Sequence, residues 1–248
     1  MRTPVVAVAH GSRDPRAAAT VAELLEAVRE RRPDLPVHAS FLDHAAPTPA
    51  TVLDGLAHGG AHRAVVLPLL LTAAYHSKTD IPGALRQVRQ RHPRLDLRIA
   101  TTLGPHPLLI KALERRLAEA GVETGDPNTA VVLVSAGSSD ASANATIWSM
   151  ARQWRGRGWR GVVPAYASAS HPTPAEAVQA LLDAGAPRVA VASYFLAPGH
   201  FADKVRREAL AAGATAVSPV LGAAPEVADL IVHRYDEALR TVPVAAAV

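Results

Sequence analysis

The chain is written twice, and this constrains its fold more than any other feature. AHGSRD at Ala9–Asp14 returns as SAGSSD at Ser135–Asp140, and PTPA at Pro47–Ala50 returns as PTPA at Pro172–Ala175. GGAHRAVVLPLLLTA at Gly59–Ala73 returns as AGAPRVAVASYFLAP at Ala184–Pro198. The offsets are 126, 125 and 125 residues, so the copies align almost without gaps. A period this long is no solenoid; it means two copies of one half-domain.

Each copy alternates strand and helix. In the first, Val5–Ala9 is a continuous apolar run, the signature of a buried parallel strand. Val21, Leu24, Leu25 and Val28 recur at helical spacing within Arg16–Arg32, behind Asp14 as N-cap and Pro15 at the first helical position. Further strands are expected over Pro36–Leu42, Ala64–Leu71 and Leu95–Ala100, and helices over Pro49–Ala57, from Asp80 and Pro82 to about His92, and over Pro107–Ala120. The second copy repeats the pattern from Ala130 to Asp236, after a linker-like GVETGDPN at Gly121–Asn128. The expected fold is therefore α/β. It has two similar three-layer αβα half-domains, 1–123 and 124–248, each with a four-stranded mainly parallel sheet, facing each other across a cleft. Such sheets bind ligands beyond the carboxyl ends of their strands, at the switch point.

Composition narrows the function. The 248 residues contain no cysteine, which removes disulfides and thiolate metal sites. The net charge of +4 comes almost wholly from arginine, since lysine occurs only at Lys78, Lys111 and Lys204. With no basic tract and few aromatic residues, a nucleic-acid partner is not expected. No stretch is long enough for a membrane span, because the most apolar run, Ala64–Leu71, is short and contains Pro68. Met1-Arg2-Thr3-Pro4 opens no secretory signal, so a cytoplasmic location is expected.

The strand ends carry the chemistry. His10-Gly11-Ser12 follows the first strand, Asp43-His44 the second, and Thr72-Ala73-Ala74-Tyr75-His76 the third, all opening on one edge. Two imidazoles with a carboxylate nearby suit a borderline divalent metal or acid–base work near neutral pH. Asp43 reads equally as part of that group or as a turn residue before the Pro-Thr-Pro segment, and His44 is expected to point away. The second copy acts as an internal control: at the repeat offset His10 becomes Ala136 and Asp43 becomes Ser168. His76 aligns with Phe201, or with His200 if one residue is gapped. Joint loss of His10 and Asp43 marks a shared site better than separate packing roles. His171 and His200 lie near the corresponding loops of the second copy, whereas His58, His62, His92, His106 and His233 are expected at the surface. Neither a P-loop lysine motif, nor GxGxxG, nor a GxSxG elbow is present.

AHGSRDP, FLDHAAPTPA and PLLLTAAYHSKTDIP, in this order and over both copies, resemble the sirohydrochlorin chelatases of the CbiX/SirB type, in their long two-halved form. The resemblance implies ATP-independent insertion of Fe²⁺ or Co²⁺ into sirohydrochlorin, in siroheme or cobalamin biosynthesis. It implies no cofactor beyond that substrate metal and no partner beyond the tetrapyrrole, in a monomer or homodimer. It carries metal binding and catalysis onto His10 and His76. The family usually has Glu where this chain has Asp43, a shorter side chain that reaches less far. Ser12, Arg13, Lys78, Tyr75 and His200 are then candidates for contact with the carboxylate-rimmed ring. The alternative is a tetrapyrrole or metal carrier that binds without catalysis.

Overall fold

A computed structural model describes residues 2–72 and 81–240. His76, Tyr75 and Lys78 lie outside the described residues. The first four strands are β1 (Val5–Ala9), β2 (Val37–Phe41), β3 (Arg63–Pro68) and β4 (Asp96–Ile99). Between them run α1 (Pro15–Arg31), α2 (Pro49–His58) and α3 (Ile81–Arg91), with α4 (Pro107–Glu119) after β4. The second copy gives β5 (Thr129–Ser135), α5 (Ala141–Arg155), β6 (Gly161–Tyr166), α6 (Pro174–Asp183), β7 (Arg188–Ser193), α7 (His200–Ala211), β8 (Ala216–Val217) and α8 (Pro225–Arg240).

The strands form two four-stranded sheets, ordered β2-β1-β3-β4 and β6-β5-β7-β8, and every pairing is parallel. In the first, Ala7 lies opposite Ala39 on one side and Leu67 on the other. In the second, Leu133 lies between Pro164 and Ala192. Pro164 is tolerated there because β6 is an edge strand whose outer face needs no ladder bond. The expected strand to Leu71 stops at Pro68. The apolar run continues, but proline has no N–H to extend the ladder, and the last bond is Leu69 N–H to the Val8 carbonyl.

The central strands are buried end to end, Val5–Ala9 and Thr129–Ser135 alike, so both faces of each sheet must be covered by helices. Val6, Val8 and Val66 pack with Leu53 of α2 and Leu85 and Val88 of α3 on one face of the first sheet. Burying each such side chain stabilises the fold by about 1.5–3 kcal/mol. The other face belongs to α1 and α8. Arg31 of α1 meets Asp229 of α8 at 2.5 Å, and the Tyr235 hydroxyl donates to the Thr3 carbonyl. In the second sheet, Val132, Val134 and Val191 pack with Val178 of α6 and Val205 of α7. There α5 lies alongside α4, where the buried Trp154 indole N–H donates to Glu114 at 3.0 Å.

These partnerships define two compact units. One is Met1–Gly104 with Val227–Val248; the other is Pro105–Glu226. The repeat boundary and the compact units are thus different divisions of the chain. Each copy contributes its last helix to the unit built mainly from the other copy.

Candidate functional site

The order β2-β1-β3-β4 puts the switch point of the first unit between β1 and β3. His10 is the first residue beyond β1 and is exposed. The loop that follows is held by its own backbone. Gly11 has φ of +95°, and a Cβ there would stand 1.7 Å from the Asp43 carbonyl oxygen. Only glycine tolerates both the left-handed conformation and that approach. The Asp43 amide donates to the His10 carbonyl at 2.9 Å, so the loops after β1 and β2 are fastened together.

Next, the Asp14 amide donates to the Ser12 hydroxyl oxygen at 3.0 Å, and Asp14 caps α1 by accepting from the Arg16 amide. The Arg16 guanidinium bonds the same carboxylate and holds its pKa below the ordinary aspartate value. The Ser12 hydroxyl hydrogen is still available to donate. Arg13 is exposed at the rim of this loop.

His10 and Asp43 line one cavity of about 270 Å³ with Leu42, Thr48, Pro49, Ala50 and Ala84. It lies at the carboxyl edge, where the first turn of α2 begins behind Thr48, the N-cap. The structure thus brings together the two described donors read from the sequence. A larger cavity, about 510 Å³, lies at the opposite edge against Thr3, Pro36 and Arg63. Its Arg2 and Arg63 are paired with Asp34 and Asp96. Being at the amino ends of the strands, it is on the wrong side for the chemistry of such sheets.

His44 is absent from the lining of the His10 cavity, as expected of a side chain pointing away from it, but it is not away from Asp43: its backbone is left-handed, φ 60°, and its Nε2 stands 3.3 Å from Asp43 Oδ2. Its amide also donates to Asp43 Oδ1 at 2.8 Å. Two supposed surface histidines are half-buried instead. His92 is bonded to Asp54 at 2.9 Å, and His106 caps α4 through Nδ1.

The second unit keeps the scaffold and loses the donors. Gly137 has φ of +84°, and a Cβ there would meet the Ser168 carbonyl at 2.0 Å. The Ser168 amide donates to the Ala136 carbonyl at 3.0 Å, and the Ser168 hydroxyl bonds the same oxygen. The Asp140 amide donates to Ser138 as Asp14 does to Ser12. His171 Nδ1 is 3.0 Å from Glu176. His200 begins α7, its ring edge-on to Phe201 at 5.7 Å. Lys204 donates to the Ala167 carbonyl beyond β6. Among the described residues no three His, Asp or Glu side chains are grouped to hold a metal ion.

The CbiX family model matches residues 4–120 and 130–238, one stretch on each copy. The chain belongs to the CbiX family. This CbiX-family chain is 30% identical to a sirohydrochlorin cobaltochelatase of Priestia megaterium over 79% of its length, and spans 64% of that protein. It is 29% identical to a sirohydrochlorin ferrochelatase of Bacillus subtilis (strain 168), over 84% of its own length and 79% of the relative's. Among solved structures, SirB from Bacillus subtilis with Fe³⁺ superposes with a TM-score of 0.85 at 27% identity, covering 97% of this chain and 96% of that one.

Proposed function

We propose that this CbiX-family chain inserts a divalent metal, Fe²⁺ or Co²⁺, into sirohydrochlorin without ATP. One observation carries the reading: His10 and Asp43 line a single cavity at the carboxyl edge, on loops whose backbone is repeated in the second unit with Ala136 and Ser168 in their places. A cavity of about 270 Å³ suits an ion and the facing edge of a ring rather than a whole tetrapyrrole.

Metalation has three demands. Water must leave the ion, two pyrrole N–H protons must leave the ring, and the ion must then leave the protein. His10, with His76 as the second imidazole, holds the ion through nitrogen; as the ion leaves for the ring, the freed nitrogens accept the pyrrole protons near neutral pH, where an unperturbed imidazole titrates at about 6.5. Asp43 adds one oxygen. Two imidazoles and at most one carboxylate leave positions open, so the ion is passed on rather than trapped. Each turnover releases two protons as the ring nitrogens exchange hydrogen for metal. Arg13 and Lys78 pair with the carboxylates on the ring, Ser12 donates a hydrogen bond and Tyr75 walls the pocket. His200 is a further contact from the second copy, whose own strand-end site is lost. The 1–123 copy is then the working half. The proposed setting is the cytoplasm, with the chain as a monomer or homodimer; no helix among the described residues is long and apolar enough to cross a membrane.

Purified chain mixed with sirohydrochlorin and Fe²⁺ or Co²⁺ should accelerate the absorbance change of metalation. His10→Ala and His76→Ala should each slow it by about 10²-fold or more. Tight sirohydrochlorin binding with no acceleration would instead mark a carrier. Identity is nearly equal to the cobaltochelatase and the ferrochelatase, so metal preference is read from the same assay with both ions in competition.

A further inference from the structure

His44 is the residue that neither the repeat motifs nor the cavity lining claims. We propose that it pairs with Asp43 as a two-donor landing site that takes a divalent metal from solvent and passes it to the His10 side of the cavity. The inference rests on the reading of the metal as substrate, and three observations support it.

The first is the internal control. The turn after β2 has the same left-handed residue in both copies, His44 at φ 60° and Ala169 at φ 57°. The flanking backbone bonds are also the same, Asp43 to His10 and Ser168 to Ala136. Alanine satisfies this turn, so the fold does not require an imidazole there. The imidazole is found only in the copy that also has His10 and Asp43. All three donor positions are occupied in one unit and replaced by Ala136, Ser168 and Ala169 in the other.

The second is distance. His44 Nε2 and Asp43 Oδ2 are 3.3 Å apart. Metal–nitrogen and metal–oxygen bonds of about 2.0–2.2 Å place neighbouring donors on one ion about 3.0–3.5 Å apart. A divalent ion therefore fits between these atoms with little rearrangement.

The third is position. Asp43 is shared: it lines the cavity with His10 and also faces His44, which stands outside that lining. Both side chains are open to solvent, 34% for His44 and 61% for Asp43. Asp43 is thus the residue through which an ion caught beside His44 passes toward the cavity that His10 lines.

The test is Co²⁺ alone, titrated into the full chain by calorimetry and by its visible absorption, with metalation kinetics alongside. His44→Ala should weaken Co²⁺ binding about tenfold or more and raise the metal KM, with kcat and the sirohydrochlorin KM unchanged. The Ala169 turn ensures that this variant has a backbone the fold already tolerates. His44→Gln, which keeps the shape but donates poorly to a metal, should behave like the alanine variant. Wild-type Co²⁺ affinity and metal KM in both variants would overturn the proposal. If the wild-type chain metalates nothing, the chelatase reading fails, and the Co²⁺ titration still decides on the landing site.

Discussion

A single atom decides what position 11 can be. A Cβ on Gly11 would stand 1.7 Å from the Asp43 carbonyl, so a side chain there must force apart the two loops that present His10 and Asp43. Gly60 has a similar φ, +84°, but open space around it. Gly60→Ala should therefore cost only the left-handed penalty of about 1–2 kcal/mol. Gly11→Ala should lower the melting temperature at least twice as far and abolish metalation. Equal losses would mean that the close approach does not govern the loop. At this scale the sequence was informative where a motif repeats. His10 and Asp43 stood out because their counterparts are Ala136 and Ser168. The pairing of His44 with Asp43 was not legible, although Ala169 offers the same contrast, because the direction of a side chain on a left-handed turn is set by the backbone and not by residue type.

Among the elements, the caps of α2 and α6 differ in a way that pH can read. Thr173 and Glu176 form a reciprocal capping box on α6, while Thr48 on α2 is answered by Thr51. His171 and then the Thr173 amide bond Glu176 and hold its pKa at about 2, from an ordinary 4.5. A carboxylate lowered in the folded state contributes stability above its unfolded pKa and loses it as pH falls through the folded value. Glu176→Gln keeps an acceptor for the cap but has no charge to lose. Its melting temperature should lie below the wild type at pH 7, and the gap should close between pH 4.5 and about 2. A gap constant across that range would exclude the ionised carboxylate as its source. Most element positions were legible, since Val5–Ala9 and the Val21–Val28 spacing reflect burial directly. The end of β3 was not, because an apolar run looks alike before and after the proline that halts its ladder.

Across the whole molecule, the two copies are not the two units. Val227, Ala228, Leu230, Ile231, Tyr235 and Ala238 of α8 are buried in a unit that otherwise spans Met1–Gly104. A fragment of residues 1–123 lacks that helix and exposes the apolar surface it covers. It should not show a cooperative melt as a monomer, whereas 1–104 linked to 225–240 should. A monomeric, cooperative 1–123 by scattering and calorimetry would show that α8 is dispensable. Helical periodicity told which face of α4 and α8 is apolar but not which sheet each covers, since that information lies in contacts far apart along the chain. The exchanged ends also restrict how such a gene can be divided. One break at the repeat boundary leaves each product holding a helix that its former neighbour needs, so fission into self-sufficient pieces requires two breaks and a rejoining.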